Sequence, residues 1–303
     1  MNRTNVQHEI KPTPTEVTKV LNAKMQIGEG PVWDAKNQRL LWVDIVGQEL
    51  NLFNPADGTN KTFKLPDIVT SATPRAQGGV LLTLRRSFAF FDPTTEKLET
   101  IAEVEPDMPG NRFNDGKTDR QGRHWAGTMG DVDWNHPIGN LYRIGADKKP
   151  ALMEQKICCC NGIGWSPDNK TMYFCESFAY VIHQYDFDAA SGNIDNRRPF
   201  TTVNPESFPD GLTVDAEGFV WSAQPVFGRI VRYDPAGKME RIIELPVSRG
   251  TSVMFGGPEL DTLYVTTMRT TLEDAQLAEE PLAGCLLAIK PGVRGIAEAP
   301  FQG

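Results

Sequence analysis

A tight-turn segment flanked by two short apolar runs recurs six times along the chain, and this repeat constrains the fold more than any other feature. Its turn positions are Asn37, Gly78, Gly122, Asn169, Gly218 and Leu260, spaced 41 to 49 residues apart. A unit of that size cannot bury its apolar face alone, so neighbouring units must stack on one another. The fourth and sixth repeats align without a gap: Asn161–Cys175 reads NGIGWSPDNKTMYFC and Ser252–Thr266 reads SVMFGGPELDTLYVT. The runs are rich in Val, Ile, Tyr and Phe and are bounded by Gly, Pro, Asn and Asp, which is strand chemistry with turn punctuation.

Each repeat continues into further strand-like segments, such as Asn140–Ile144, Tyr180–Phe187 and Gly228–Asp234. Only Leu272–Leu282 reads as helical, a short acidic insertion in the last repeat. The period and the strand content predict an all-β chain: a six-bladed β-propeller with four-stranded blades around a central channel. Thr15–Gln26 is expected to pair with the sixth blade and close the ring. No linker-like shift in composition divides the chain, so residues 1–303 form one propeller domain, with residues 1–14 as a flexible N-terminal extension.

The repeat also carries chemistry. Eight residues before the six turn positions stand Glu29, Thr70, Asn114, Asn161, Asp210 and Ser252. All six bear side-chain oxygen, and equivalent positions of a closed ring share one height and radius. The repeat therefore predicts a ring of oxygen ligands at one end of the channel. Glu29, Asn161 and Asp210 supply two carboxylates and one amide oxygen, a donor set for one divalent cation. Hard oxygen donors favour Ca²⁺, Mg²⁺ or Mn²⁺ over Zn²⁺ or Fe²⁺. A surface turn would account for each local string, Asp-Gly and Asn-Gly above all; the shared phase outweighs that reading. Arg112 lies two residues before Asn114, on the same side of a strand, and the pair suits recognition of hydroxyls or a carboxylate. Thr70 and Ser252 are weaker members that line the channel. Asp119, Asp215, Asp34 and Asp168 read as turn builders, and Trp33 and Trp165 as equivalent core positions.

Composition narrows the partners. Net charge is −8 with no Lys/Arg cluster, which disfavours nucleic acid and anionic membrane. No apolar run reaches the roughly 20 residues that span a bilayer. The N-terminus has no apolar signal core, and five cysteines, three of them in tandem at 158–160, do not form a disulfide framework. A cytoplasmic location is expected. In strand phase Cys158 and Cys160 face one side and Cys159 the other, as small buried filler. Nucleophile elbows, P-loops and dinucleotide motifs are absent from the sequence. The four histidines fall outside the ring phase, and His136 reads as a solvated loop residue.

The segments IGEGPVWD, RFNDGKTDRQGRHWAGTM, NGIGWSPDNKTMYF and PDGLTVDAEGFVW resemble the regucalcin/senescence-marker-protein/gluconolactonase family. The likeness covers residues 15 to 296. Members are six-bladed propellers that hydrolyse sugar lactones with a metal. The resemblance implies that Glu29, Asn161 and Asp210 bind the metal, that Arg112 and Asn114 hold a small sugar-lactone substrate, and that Asp210 doubles as catalytic base. The family places an acidic sugar contact just after the GTM segment. Here Asp131 and Asp133 flank that position, and both are candidate substrate contacts. Two rival functions are a phosphotriesterase-like or other ester hydrolase, expected to show a more apolar mouth without the Arg/Asn pair, and a non-catalytic metal-binding propeller. Oligomeric state is not legible in the sequence.

Overall fold

The computed structural model describes residues 10–303. Six four-stranded antiparallel sheets make six blades. In blades one to five the strands follow one another outward in chain order. Blade one comprises Gly28–Asp34, Arg39–Asp44, Glu49–Asn54 and Thr59–Lys64. Blades two to six start from Val69–Pro74, Asn111–Thr118, Cys160–Trp165, Leu212–Val214 and Gly250–Gly256. Each of these innermost strands packs on those of both neighbouring blades, which closes the ring. As expected, the N-terminal strand Val17–Leu21 completes blade six, pairing with Leu286–Ile289 with Val17 opposite Ile289. The helical insertion is Asp274–Glu279, between the second and third strands of that blade.

Burial explains the sequence pattern. Gly28–Asp34 and Gly250–Gly256 are buried at every position, so they alternate little. The outermost strands, such as Thr59–Lys64 and Leu98–Glu103, alternate and carry charge, which protects exposed sheet edges from pairing. Apolar clusters lie between blades: Leu41, Val43 and Leu52 of blade one meet Ala72, Leu82 and Ala89 of blade two.

The turns take the left-handed conformation at Gly78, Gly122, Asn169, Gly218 and Leu260. In the first repeat that residue is Gln38 (φ 51°), not Asn37. The strand register is the same: Glu29 pairs with Val43 and Val32 with Leu41, as Asn161 pairs with Cys175 and Gly164 with Tyr173. Only the left-handed residue moves, one position along the turn. Trp33, opposite Leu40, is equivalent to Trp165, opposite Met172, as expected. Both pack between blades, Trp33 on Tyr264 and Trp165 on Trp125.

The turn aspartates hold these hairpins together. Asp119 Oδ1 accepts the N–H groups of Gln121 and Arg123, and its Oδ2 accepts Trp125 Nε1 at 3.0 Å. Asp215 repeats the pattern with Glu217, Phe219 and Trp221 Nε1 (2.9 Å), and also pairs with the buried Arg232. Asp34 and Asp168 likewise accept turn N–H groups, from Asn37 and Lys170. Asp215→Ala strands the indole and turn donors in a dry site, and a loss of roughly 2–4 kcal/mol is expected in denaturant titration. A loss under about 0.5 kcal/mol, the scale of an ordinary surface change, would show that the motif is dispensable.

Residues 1–9, most of the expected N-terminal extension, lie outside the described residues. Thr13 N donates to Ile242 O at 2.8 Å, and Ile10 packs against the apolar cluster between blades four and five. At the other terminus the tail crosses the turn side of the ring. Ala216 N donates to Arg294 O, Ala76 N to Phe301 O, and Gln302 N to Gly122 O, so the tail joins blades five, two and three. No helix among the described residues is long and apolar enough to cross a membrane.

Candidate active site

Glu29, Asn161 and Asp210, on blades one, four and five, line one cavity at the end of the channel opposite the turns, together with Arg112 and Asn114 of blade three. All three of the first set are buried, and each is followed by glycine. The local backbone requires those glycines. Gly30 has φ +52°, and a Cβ on Gly211 would lie 1.9 Å from Ser252 Oγ. What reads in sequence as a turn dipeptide is a close approach of innermost strands near the axis.

Two oxygens in this cavity are buried with no hydrogen-bond partner: Asn161 Oδ1 and Asp210 Oδ1. Asn161 is oriented by its other end, since Nδ2 donates to Ser177 Oγ (2.9 Å), which in turn donates to Pro209 O (2.7 Å). Glu29 Oε2 accepts from Gly30 N at 2.9 Å. A third carboxylate, Asp115, sits close enough to raise both other acids. Burial first, then Asp210 and Asp115, pushes Glu29 well above the usual carboxylate range. Burial, with Asp115, does the same to Asp210. Burial brings Asp115 to about 6 despite the opposing effect of Lys117 and the Gly116 N–H.

Orphaned buried oxygens and three crowded carboxylates are what a divalent cation would satisfy, so the residues fit such an ion. The set contains an amide, and no three His, Cys, Asp or Glu side chains form a metal cluster among the described residues. The donors are therefore weaker and harder than those of a structural zinc site.

Arg112 is held rigidly. Its Nε donates to Asp131 Oδ1 (3.0 Å), and its Nη1 donates to Phe113 O (2.9 Å) and Asn114 Oδ1 (2.8 Å). Asn114 Nδ2 donates to Cys160 O at 2.8 Å. Asp131 is clamped between Arg85 and Arg112, and exposed Asp133 pairs with His136. Neither carboxylate lines the cavity. Thr70 and Ser252 do not line it either. Thr70 Oγ1 meets Thr83 Oγ1 at 2.8 Å, and a register shift between Gly250 and Ser252 brings Thr251 to the cavity instead.

Sequence phase missed several residues. Asp115 follows a register shift at Asn114, and Ser177 lies on a short 3-10 turn. Trp134, Phe178 and Phe208 come from connecting segments outside the strands. Cys160 packs between blades three and four as expected filler, but Cys159 lines the cavity, with Sγ 3.5 Å from Met129 Sδ. Its burial holds it as the neutral thiol. Buried His124 lies on the second strand of blade three, bonded to Ser71 and Thr118, and burial lowers it to about 3. Two larger hollows, of about 400 and 470 Å³, open beside Arg75 and contain none of the site residues inferred from the sequence.

Comparison with known proteins agrees with this architecture. Residues 27–269 match the family described as SMP-30/Gluconolactonase/LRE-like region. A regucalcin of Gallus gallus is 36% identical over 287 residues, spanning 92% of this chain and 96% of the relative. A 6-deoxy-6-sulfogluconolactonase of Pseudomonas putida is 36% identical over 282 residues, spanning 91% and 95%. The crystal structure of a regucalcin of Agrobacterium tumefaciens, described as calcium-binding, superposes with a TM-score of 0.93 at 28% identity, covering 97% of this chain and all of that one. Shared sequence across nearly the whole ring and the matching six-bladed fold place this chain in the SMP-30/gluconolactonase/LRE-like family.

Proposed function

We propose that this lactonase opens a sugar lactone to its sugar acid with one divalent ion held by Glu29, Asn161 and Asp210. The observation that carries the reading is the pair of unpartnered buried oxygens, Asn161 Oδ1 and Asp210 Oδ1, in the same cavity as Glu29 and the Arg112 guanidinium. The calcium-binding description of the Agrobacterium regucalcin supports a divalent ion in a propeller of this family. When bound, the cation supplies Lewis-acid polarisation of the lactone carbonyl.

The protein's own groups carry the rest. Asp210 takes the proton from the attacking water. Neutralising the crowd of Glu29, Asp115 and Asp210 returns Asp210 to the ionised form that can do so. Ser177 keeps the Asn161 carbonyl turned toward the cavity. Arg112 holds a substrate oxygen, and Asp131 and Asn114 hold Arg112. A reducing compartment such as the cytoplasm suits the five unpaired cysteines.

The direct test is proton release from a panel of aldonolactones, with each divalent ion added back after chelation. No turnover with any ion would overturn the reading. In the same assay Arg112→Ala is expected to raise KM by about 10–100-fold with a smaller change in kcat, the worth of a charged hydrogen bond made in both ground and transition states. Arg112→Lys should not restore KM, because a lysine cannot keep both the Nε and Nη1 contacts. One observation favours a second reading. Ile27, Ile45, Met129 and Met268 also line the cavity, and such a mouth suits a less polar ester. Rapid turnover of phosphotriesters without lactone hydrolysis would select that alternative.

A further inference from the structure

We infer that Trp134 is a substrate-binding residue: its indole, with Phe178 and Phe208 beside it, forms a platform on which the C–H face of a sugar lactone ring stacks, leaving the ring's hydroxyls at the edge of the stack. The inference rests on the lactonase reading and deepens it with a binding residue that the sequence repeat does not reach.

Three observations support it. The first is the platform. Trp134 stacks on Phe178 with ring centroids 6.2 Å apart and 20° between planes, and Phe178 meets Phe208 at 5.4 Å. All three line the cavity that holds Glu29, Asn161, Asp210 and Arg112. The second is exposure. Five of the six tryptophans are buried, and Trp134 alone is open, at 41%. An aromatic surface held open beside a concave polar site marks a place where a ligand covers it. Its Nε1 donates to Asp131 O at 3.2 Å, so the polar edge is satisfied and the π face is what remains for a ligand.

A hydroxylated ring suits such a face. Where its hydroxyls lie around the rim, the ring's faces are carbon and hydrogen, and the slightly positive C–H groups meet the negative face of an indole. Stacking then buries carbon against carbon and leaves the hydroxyls to the polar side of the cavity or to water, so none is stranded without a partner. The third observation is that the residues bracing the platform also brace the polar site. Asp131 holds the indole through its carbonyl and Arg112 Nε through its carboxylate, at 3.0 Å. Phe178 follows Ser177, which orients the Asn161 amide at 2.9 Å, and Phe208 stands two residues before Asp210. Three connecting segments thus fix an aromatic and a polar group relative to one another, as positioning one cyclic substrate requires.

The test uses the full chain loaded with the divalent ion that gives the highest activity, and the sugar lactone of the aldonolactone panel that it turns over fastest. Trp134→Ala is expected to raise KM for that lactone by about tenfold while kcat changes by less than about threefold, since stacking is made in both ground and transition states. Trp134→Phe should recover most of the KM, because a smaller ring keeps the face. An unchanged melting temperature checks that both variants are folded. A second readout needs no variant. The other five tryptophans are buried, so acrylamide reaches the indole of Trp134 first. The unreactive lactam of the same sugar, added at concentrations that inhibit turnover, should protect this fluorescence from acrylamide. An unchanged KM in Trp134→Ala, or an indole left equally open to acrylamide by inhibiting lactam, overturns the inference and leaves the lactonase reading standing. Absence of turnover of every aldonolactone with every ion overturns both.

Discussion

Asp210→Asn is expected to bind a divalent ion yet lose kcat by about 10²–10⁴-fold, the usual contribution of a general base. The substitution keeps an oxygen donor and nearly the same shape, so it separates the two roles proposed for Asp210. Its Oδ1 is unpartnered and buried, and its N–H is tied to Ala223 O at 3.0 Å, so the backbone will hold the asparagine in the same place. Glu29→Gln is the contrasting variant. Glu29 contributes through charge beside Asp210, so its loss should weaken metal affinity, and high metal concentration should recover much of the rate. A metal titration of kcat for both variants is the measurement. Near-normal kcat for Asp210→Asn at saturating metal would make Asp210 a ligand only. Asp131 and Asp133 do not line the cavity, and the base would then be sought at Asp115, which lies close enough to raise Glu29, or in solvent.

Metal removal is expected to abolish turnover and to leave a protein whose stability falls as pH rises. In the metal-free fold Asp115 keeps its proton up to about pH 6, and burial and mutual repulsion hold Glu29 and Asp210 protonated well above the usual carboxylate range. In the unfolded chain such carboxyls release protons near pH 4. Between those values the unfolded state binds fewer protons than the native one, so stability declines with increasing pH, starting near pH 4 and continuing past 6. A cation in the site reverses the direction by favouring the ionised acids. The melting temperature of chelated protein should thus drop from pH 5 to pH 8, and saturating Ca²⁺ or Mn²⁺ should raise it more at pH 8 than at pH 5. Binding at 100 to 1,000 times Kd contributes about 3–4 kcal/mol. In Glu29→Gln the pH slope of the metal-free protein should flatten. An equal metal-induced shift at both pH values would place the ion elsewhere.

Much of this site was legible because a repeat fixes phase. The left-handed turn residues mark equivalent heights, and counting back from them reaches Glu29, Asn114, Asn161 and Asp210, all in one cavity. Glu29 is reached from Asn37, which keeps the register of Asn169 although its turn takes the left-handed conformation one residue later, at Gln38. Strand irregularities explain the misses. Asp115 stands one step off phase, beside the register shift at Asn114, and Thr251 replaces Ser252 after a similar shift. Cys159 lies just before its innermost strand, bridged to Met129, so strict alternation does not apply to it. Ser177, Trp134, Phe178 and Phe208 sit on connections between strands. No periodicity governs those segments, and only three-dimensional proximity identifies them.

Closure of blade six by both ends of the chain has a consequence for the order of synthesis. The proposed ligands Glu29, Asn161 and Asp210 all precede Leu286–Ile289, the strand that captures Val17–Leu21. A nascent chain therefore carries every ligand long before the ring can shut. Until that strand emerges, the innermost strands of blades one and six lack their final restraint, and the three donors are not held at fixed separations. The proposed site is thus a property of the finished circle, and a cation that requires all three donors would bind only once the ring has closed.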